Sequence, residues 1–297
     1  MIQEDVELKK LKSHVKYVLK KDFYKNRAVK CCPICACKEI IKYGLYNGIQ
    51  RYKCKECGKT FSNATKALWS YSKKNPEVWM EFLELMVEKK SLRFCAEKLN
   101  ISLGTAFYWR HKILHAMTIN GTPNSLKGII YMAKTIMPEN FKGSRNTKID
   151  NVKVLRRRIW IIGAKGDEDS MFVKPVFRDM WDLKIFNEKV YSKIEKKSYI
   201  VPYGDRYLSV IAKKHNKKRV LEVKDENKIR YFILNLKTWI DVYHGVATKY
   251  LQRYLSFFTL FYLDKVISYM DLICKDLFFG NGFMKTNEIR RVEDYMY

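Results

Sequence analysis

The chain has 297 residues, 47% of them hydrophobic and 14% aromatic, which excludes wholesale disorder and leaves room for two or three modules. Its 58 Lys and Arg against 31 Asp and Glu give a formal charge of +27, so a polyanion is the first partner to consider. Six prolines and 13 glycines exclude a collagen-like or linker-rich architecture.

Residues 1–30 form a basic N-terminal segment with charges throughout and no apolar stretch of a secretory signal. The most apolar run, Tyr254 to Phe279, is broken by Asp264, Lys265, Asp271, Lys275 and Asp276. No membrane-spanning helix, and no membrane partner, is expected from it. A cytoplasmic protein follows, in which eight cysteines are ligands or buried thiols rather than disulfides.

Six of those cysteines fall within 31–57. Cys32-Pro-Ile-Cys35 and Cys54-Lys-Glu-Cys57 are separated by 18 residues, a two-knuckle spacing for tetrahedral zinc. Each knuckle points two thiolates at one ion, and Lys53, Lys55 and Lys59 favour the thiolate form. Ile40 to Gly44 and Gln50 to Lys53 suit two strands around Tyr46-Asn47-Gly48. Residues 31–62 therefore read as a zinc ribbon whose Zn²⁺ is structural, because four protein ligands leave no open position. Cys31 and Cys37 leave a shifted ligand register open.

Residues 74–118 read as a helical domain. Pro76 to Lys90 places Val78, Phe82, Leu85 and Met86 on one face. Ser91 caps a short helix whose inner face is Leu92, Cys95, Ala96 and Leu99. Asn100-Ile101-Ser102 turns the chain, and Ser102 caps a second helix through Leu114. That is a helix-turn-helix pattern. Its second helix would lie in the major groove of double-stranded DNA, with Ser102, Thr105, Tyr108, Trp109, Arg110 and Lys112 as candidate contacts. Ala106, Phe107 and Ile113 look inward, and Arg110 and Lys112 suit phosphate rather than bases. Arg51, Lys53 and Lys59 of the ribbon are further candidate DNA contacts.

Beyond Pro123 to Leu126 a new domain begins. Gly128 to Ala133, Arg158 to Ala164 and Met171 to Phe177 read as strands, the last two flanking a Gly166 to Asp169 turn. Lys142 to Asp150 reads as a loop. Trp181 to Lys196 reads as a helix, Ser198 to Pro202 as a strand, Tyr207 to Lys214 as a helix and Arg219 to Val223 as a strand. Lys228 to Tyr243 reads as a helix with Phe232, Leu236, Trp239 and Tyr243 aligned. Three strands followed by alternating helices and strands is the ribonuclease H-like order, assigned to 126–248, with a helical extension over 249–297. The fold class expected is multi-domain α+β.

Several stretches carry a family resemblance. They are Cys32 to Cys35; Gln50-Arg-Tyr-Lys-Cys-Lys-Glu-Cys-Gly-Lys-Thr-Phe61; Ile101 to Leu114; Phe141-Lys-Gly143; and Tyr243-His-Gly-Val-Ala-Thr-Lys-Tyr-Leu251. In this order they resemble bacterial insertion-sequence DDE transposases of the ISXO type, with a zinc ribbon, a helix-turn-helix and a ribonuclease H-like domain. The resemblance runs from about residue 30 to about residue 260. It implies acidic residues holding two Mg²⁺ ions for in-line displacement at phosphorus.

Those acids are missing where the resemblance puts them. The first-strand acidic pair aligns with Ala133 and Lys134, the second site with Tyr203, and the third near Arg230. Lys237 does match a basic position of the family. Glu139 follows Pro138, and Asp205 lies two residues beyond Tyr203. Asp167, Glu168, Asp169, Asp179 and Asp182 read as turn and cap residues. Lys134 would repel a divalent cation, so Mg²⁺ is not expected. The reading that follows is a catalytically inactive relative, not an enzyme. It binds specific DNA sites as a homodimer and regulates transcription on the bacterial nucleoid. An active transposase with a rebuilt site at Asp205 or Glu139, and an inert or protein-interaction relic, are the alternatives.

Overall fold

The computed structural model describes residue 13 and residues 29–46, 49–121, 125–140, 148–149, 152–153, 157–166, 170–217, 221, 227–243, 245–262 and 283–291. It is a mixed α+β structure that divides into two compact units, 1–120 with 266–290, and 121–265 with 291–297. The stretch expected as one C-terminal extension, 249–297, is thus shared between them.

The first unit opens with a three-stranded antiparallel sheet of β1 (Ile40–Tyr46), β2 (Ile49–Cys54) and β3 (Thr60–Ser62). Its apolar interior is small: Cys32, Cys54 and Phe61 are buried, with Val29, Ile40 and Tyr52 packed on them. Three helices follow, α1 (Pro76–Val87), α2 (Leu92–Lys98) and α3 (Leu103–Gly121). Ser91 caps α2 by accepting from the Phe94 N–H, and Ser102 caps α3 by accepting from the Thr105 N–H at 3.0 Å. The buried face of α1 is rotated from the expected one. Trp79, Met80 and Leu83 join Phe82 and Met86 inside, while Val78 and Leu85 are half-buried. The reason is ring packing: Trp79 stacks on Trp109 of α3 at 3.9 Å, and Phe82 meets the same ring edge-on at 5.6 Å.

The second unit is built on a four-stranded sheet. Its strands are β4 (Ile129–Pro138), β7 (Arg158–Lys165), β8 (Met171–Arg178) and β9 (Tyr199–Tyr203), and the order is β8-β7-β4-β9. The short pair β5 (Lys148–Ile149) and β6 (Val152–Lys153) falls at the end of the expected loop. β4 and β7 are antiparallel over Tyr131 to Pro138, longer than expected, and β9 pairs with β4 in parallel. Pro175 is accommodated in β8 because that strand is an edge and the ladder shifts register there.

One face of this sheet buries Ile130, Met132, Ile162, Phe177, Phe186 and Leu208. The helix expected over 181–196 is shorter: α4 (Leu183–Lys189), capped by Asp182, then a single 3₁₀ turn over Tyr191–Lys193. Leu126 draws the backbone out of the helix, donating to the Lys193 carbonyl and accepting from the Glu195 N–H. α5 (Arg206–Asn216) follows β9. α6 (Asn227–Asp241) and α7 (Leu251–Tyr262) pack on each other, with Phe232, Leu236 and Trp239 buried as aligned. The strand expected over 219–223 lies largely outside the described residues, as does the Asp167 to Asp169 turn. Among the described residues no helix is long and apolar enough to cross a membrane.

α6 rests on a hole in β7. A Cβ at Gly163 would stand 2.5 Å from Cε1 of Phe232, whose ring is fully buried and has nowhere to go. Gly163→Ala is expected to cost about 1–3 kcal/mol through overpacking. Urea denaturation of the purified variant checks this, and an unchanged midpoint would contradict it.

Candidate functional site

Three places bear on function: the cysteine cluster, the outer face of α3, and the end of the sheet where catalytic acids were sought. In the first, two turns of the same construction face each other. The Ala36 N–H donates to the Cys32 carbonyl at 2.9 Å, and the Gly58 N–H to the Cys54 carbonyl at 3.1 Å. The residue after each second cysteine is left-handed, Ala36 at φ 61° and Gly58 at φ 68°. The result gathers Cys32, Cys35, Cys54 and Cys57, whose sulfurs all lie within 4.8 Å of one another. Cys32 and Cys57 are 3.7 Å apart and Cys35 and Cys54 3.5 Å, with no disulfide formed.

That geometry fits a metal. Zinc–sulfur bonds of about 2.3 Å in a tetrahedron set sulfurs roughly 3.8 Å apart. The four cysteines could therefore hold an ion such as zinc. Cys37 instead accepts from the Glu39 N–H, and the shifted register through it is not what forms. The Cys54 thiol is pulled down to about 6, first by a hydrogen bond from the Cys57 backbone, against the effect of burial. It is thus available as thiolate at neutral pH.

In the second place, Ser102 is exposed at the start of α3, and Thr105, Tyr108 and Lys112 along it are half-exposed. Trp109 and Arg110 do not fit the expectation of surface contacts: they are only 5% and 4% exposed. Both lie on the helix stripe that runs Ala106, Trp109, Arg110 and Ile113, turned toward the interior. The Arg110 guanidinium donates to the Lys90 carbonyl at 2.7 Å and so ties α3 to the end of the α1 segment. Charge suggested a surface residue, but a long side chain can bury its stem while its fork satisfies backbone. On the three-stranded sheet of the first unit, Arg51 and Lys53 each lie 5.7 Å from the exposed Tyr43 ring, and Lys59 beside it is exposed. Arg51 also donates to the Thr60 hydroxyl at 2.9 Å.

In the third place, Ala133 of β4 sits opposite Tyr203 of β9, so the two expected acid positions are neighbours across the parallel pair. Ala133 is buried and carries no chemistry. Lys134 is largely buried, and its ammonium forms an ion pair with Asp205 Oδ2. It also stands 4.1 Å from the Trp160 ring centroid. Asp205 Oδ1 meanwhile accepts the Leu208 N–H at 3.0 Å and caps α5. Glu139 is likewise engaged, with Oε1 2.6 Å from the Arg178 guanidinium. Arg230 lies on α6. Lys237 on the same helix is exposed. Asp182 caps α4, and Asp179 accepts from the Arg158 N–H, as turn and cap residues do.

Sequence reasoning passed over the Lys134–Asp205 pair, because it treated the two-residue offset as moving the acid away from the strand end. The available signal was Gly204-Asp205 before an amphipathic helix. Gly204 is left-handed at φ 64° and turns the chain so that the N-cap carboxylate reaches back to β4.

Cys54→Ser is expected to abolish stoichiometric metal binding by the purified chain, read by elemental analysis. Wild type should keep its metal at pH 7 and lose it on acidification, as protons compete with the metal for the thiolates. Full metal retention by Cys54→Ser would contradict the four-thiolate site. Lys134→Met leaves the Asp205 carboxylate buried without its cation and should destabilise the chain by about 3–5 kcal/mol. Thermal melting of that variant checks this, and a wild-type midpoint would contradict it.

Over 87 residues the chain is 28% identical to a protein of Halobacterium salinarum described as "Uncharacterized protein in transposable element ISH50". That stretch is 29% of this chain and 30% of the relative, so the chain spans under a third of that protein's length. No family model matches the chain. No solved structure matches it.

Proposed function

We propose that this chain is a transposable-element-derived, sequence-specific DNA-binding protein that performs no strand chemistry and acts as a transcriptional regulator. In this reading 31–62 is a zinc ribbon with a structural Zn²⁺ on Cys32, Cys35, Cys54 and Cys57. Helices α2 and α3 are a helix-turn-helix that reads the major groove, and 126–248 is a degenerate ribonuclease H-like domain. The likeness to a protein of a transposable element supports the origin. The antiparallel β8-β7-β4 order with β9 added in parallel is in keeping with a ribonuclease H-like sheet.

The observation that carries the reading is the Lys134–Asp205 ion pair. A Mg²⁺ site needs carboxylate oxygens free to coordinate and no cation in their midst. Here the acid nearest the expected position has one oxygen on an ammonium and the other on a backbone N–H. The other candidate acid, Glu139, is paired with Arg178. The charge of +27 remains and suits a phosphate backbone. Homodimeric binding to paired half-sites in the bacterial nucleoid completes the proposal.

A second reading is favoured by one feature: Asp205 does stand beside β4, where a metal-binding acid would be useful. An active transposase would then have to move Lys134 aside.

Binding and cleavage on the same genomic fragments separate the two. The proposal expects discrete protected sites at moderate salt and no nicking with Mg²⁺ or Mn²⁺. Thr105→Ala should change site preference, because that side chain stands at the start of α3. Metal-dependent nicking lost in Asp205→Asn would overturn the proposal in favour of the transposase. Absence of any preferred site would remove the DNA-reading role.

A further inference from the structure

A cleft of about 600 Å³ opens beside the start of α3. Its floor is the stacked pair Trp79 and Trp109. Lys73, Lys74, Lys112 and Lys285 line it, and no carboxylate does among the described residues. Two of these lysines precede α1, one lies on α3, and the fourth comes from the far end of the chain, just before the short helix α8 (Thr286–Arg290).

That C-terminal segment is held against α3 by several contacts. Arg290 donates a hydrogen bond to the Tyr108 hydroxyl, and its guanidinium lies 5.3 Å from the same ring. Phe283 packs 5.8 Å from Tyr71 and 5.8 Å from the Lys112 ammonium. Ile289 is fully buried and anchors the segment. Glu288, the acid of this stretch, accepts from the Lys285 backbone N–H at 2.8 Å and so closes the first turn of α8. The described segment 283–291 carries Lys285, Arg290 and Arg291 against Glu288, a net positive strip.

Lys73, Lys112 and Lys285 gather like charge around one concavity, while the Lys74 ammonium donates to the Asn100 carbonyl at 3.1 Å. The arrangement is favourable when an anion enters, and burial already pushes the Lys112 ammonium's pKa down. The Glu288 carboxylate counters part of that effect, and an entering anion would offset the remaining repulsion. Thr105 and Lys112 of α3, which line this cleft, are also residues the helix would present to DNA.

We infer that this lysine-lined cleft, completed by the C-terminal segment, is a binding site for a DNA backbone phosphate and makes Lys73 and Lys285 part of the DNA interface. The inference rests on the DNA-binding reading proposed above and extends it to Lys73, before α1, and to Lys285, 173 positions beyond Lys112 in the chain.

The test uses the full chain and a genomic duplex that it protects, with affinity measured from 0.05 to 0.3 M salt. Each phosphate contact contributes about 0.9 to the slope of log K against log salt. Lys285→Ala and Lys73→Ala should each reduce the slope by about 1 and weaken binding roughly 5–10-fold at 0.1 M salt, without changing site preference. Circular dichroism melts confirm that the variants are folded. If both keep the wild-type slope and affinity while Thr105→Ala still alters site preference, the cleft inference fails and the DNA-binding reading stands. Tighter binding by Lys285→Ala would mean that the segment masks α3, which also overturns the inference. If the wild-type chain binds no duplex, both readings fall together.

Discussion

The functional account turns on a single ion pair. Lys134 and Asp205 meet where β4 and β9 run side by side and α5 begins. Side chains that are 18% and 6% exposed have given up most of their water, and neither charge is tolerable there without the other. The same carboxylate starts α5 by accepting the Leu208 N–H. One residue therefore fixes a strand end, a helix start and the charge state of the place where metal-bound acids would otherwise be. Removing the ammonium to admit a divalent ion would cost both the pair and the packing of Lys134 against Trp160. The indole further shields the ammonium from water, and Trp181 and Tyr207, stacked at 5.0 Å, extend the aromatic surround.

The first unit answers a different constraint. Its sheet has too little apolar interior to fold on burial alone: the buried set is Cys32, Cys54 and Phe61. A tetrahedral ion on the four sulfurs would supply what the core lacks, since metal affinity in such modules is folding free energy. The helices that follow are held differently, by the Trp79–Trp109 stack and by Arg110 tied to the Lys90 carbonyl. Rigid support from behind leaves Thr105, Tyr108 and Lys112 on the other side of α3, half-exposed, where the proposed reading puts the DNA contacts. Positive charge continues from there onto Lys285 and Arg290, so in the proposed reading a phosphate backbone would meet cations distant in the chain.

Much of this was legible in the sequence because it is local. The cysteine spacing, the Ser91 and Ser102 caps and the Phe232, Leu236 and Trp239 stripe each depend on residues a few positions apart, and the structure has them as read. What escaped depends on contacts made elsewhere. Arg110 looked like a surface residue because its charge favours exposure, but the α3 stripe that includes it and Trp109 is fixed by Trp79 and Phe82 across the interface. The helix after Trp181 ends early because Leu126, more than 60 residues away, takes its backbone into a bridge. The Lys134–Asp205 pair joins two residues 71 apart through a left-handed Gly204, which no periodicity announces. The docking of Arg290 on Tyr108 spans 182 positions and has no sequence signature at all.

The central claim is that the chain recognises DNA sites without rearranging them. Chromatin immunoprecipitation with sequencing in the native host, using tagged protein, addresses it most directly. The account predicts sharp peaks upstream of genes unrelated to mobile elements, with intact DNA beneath them. Peaks confined to the terminal repeats of mobile elements, with strand breaks at their edges, would contradict it.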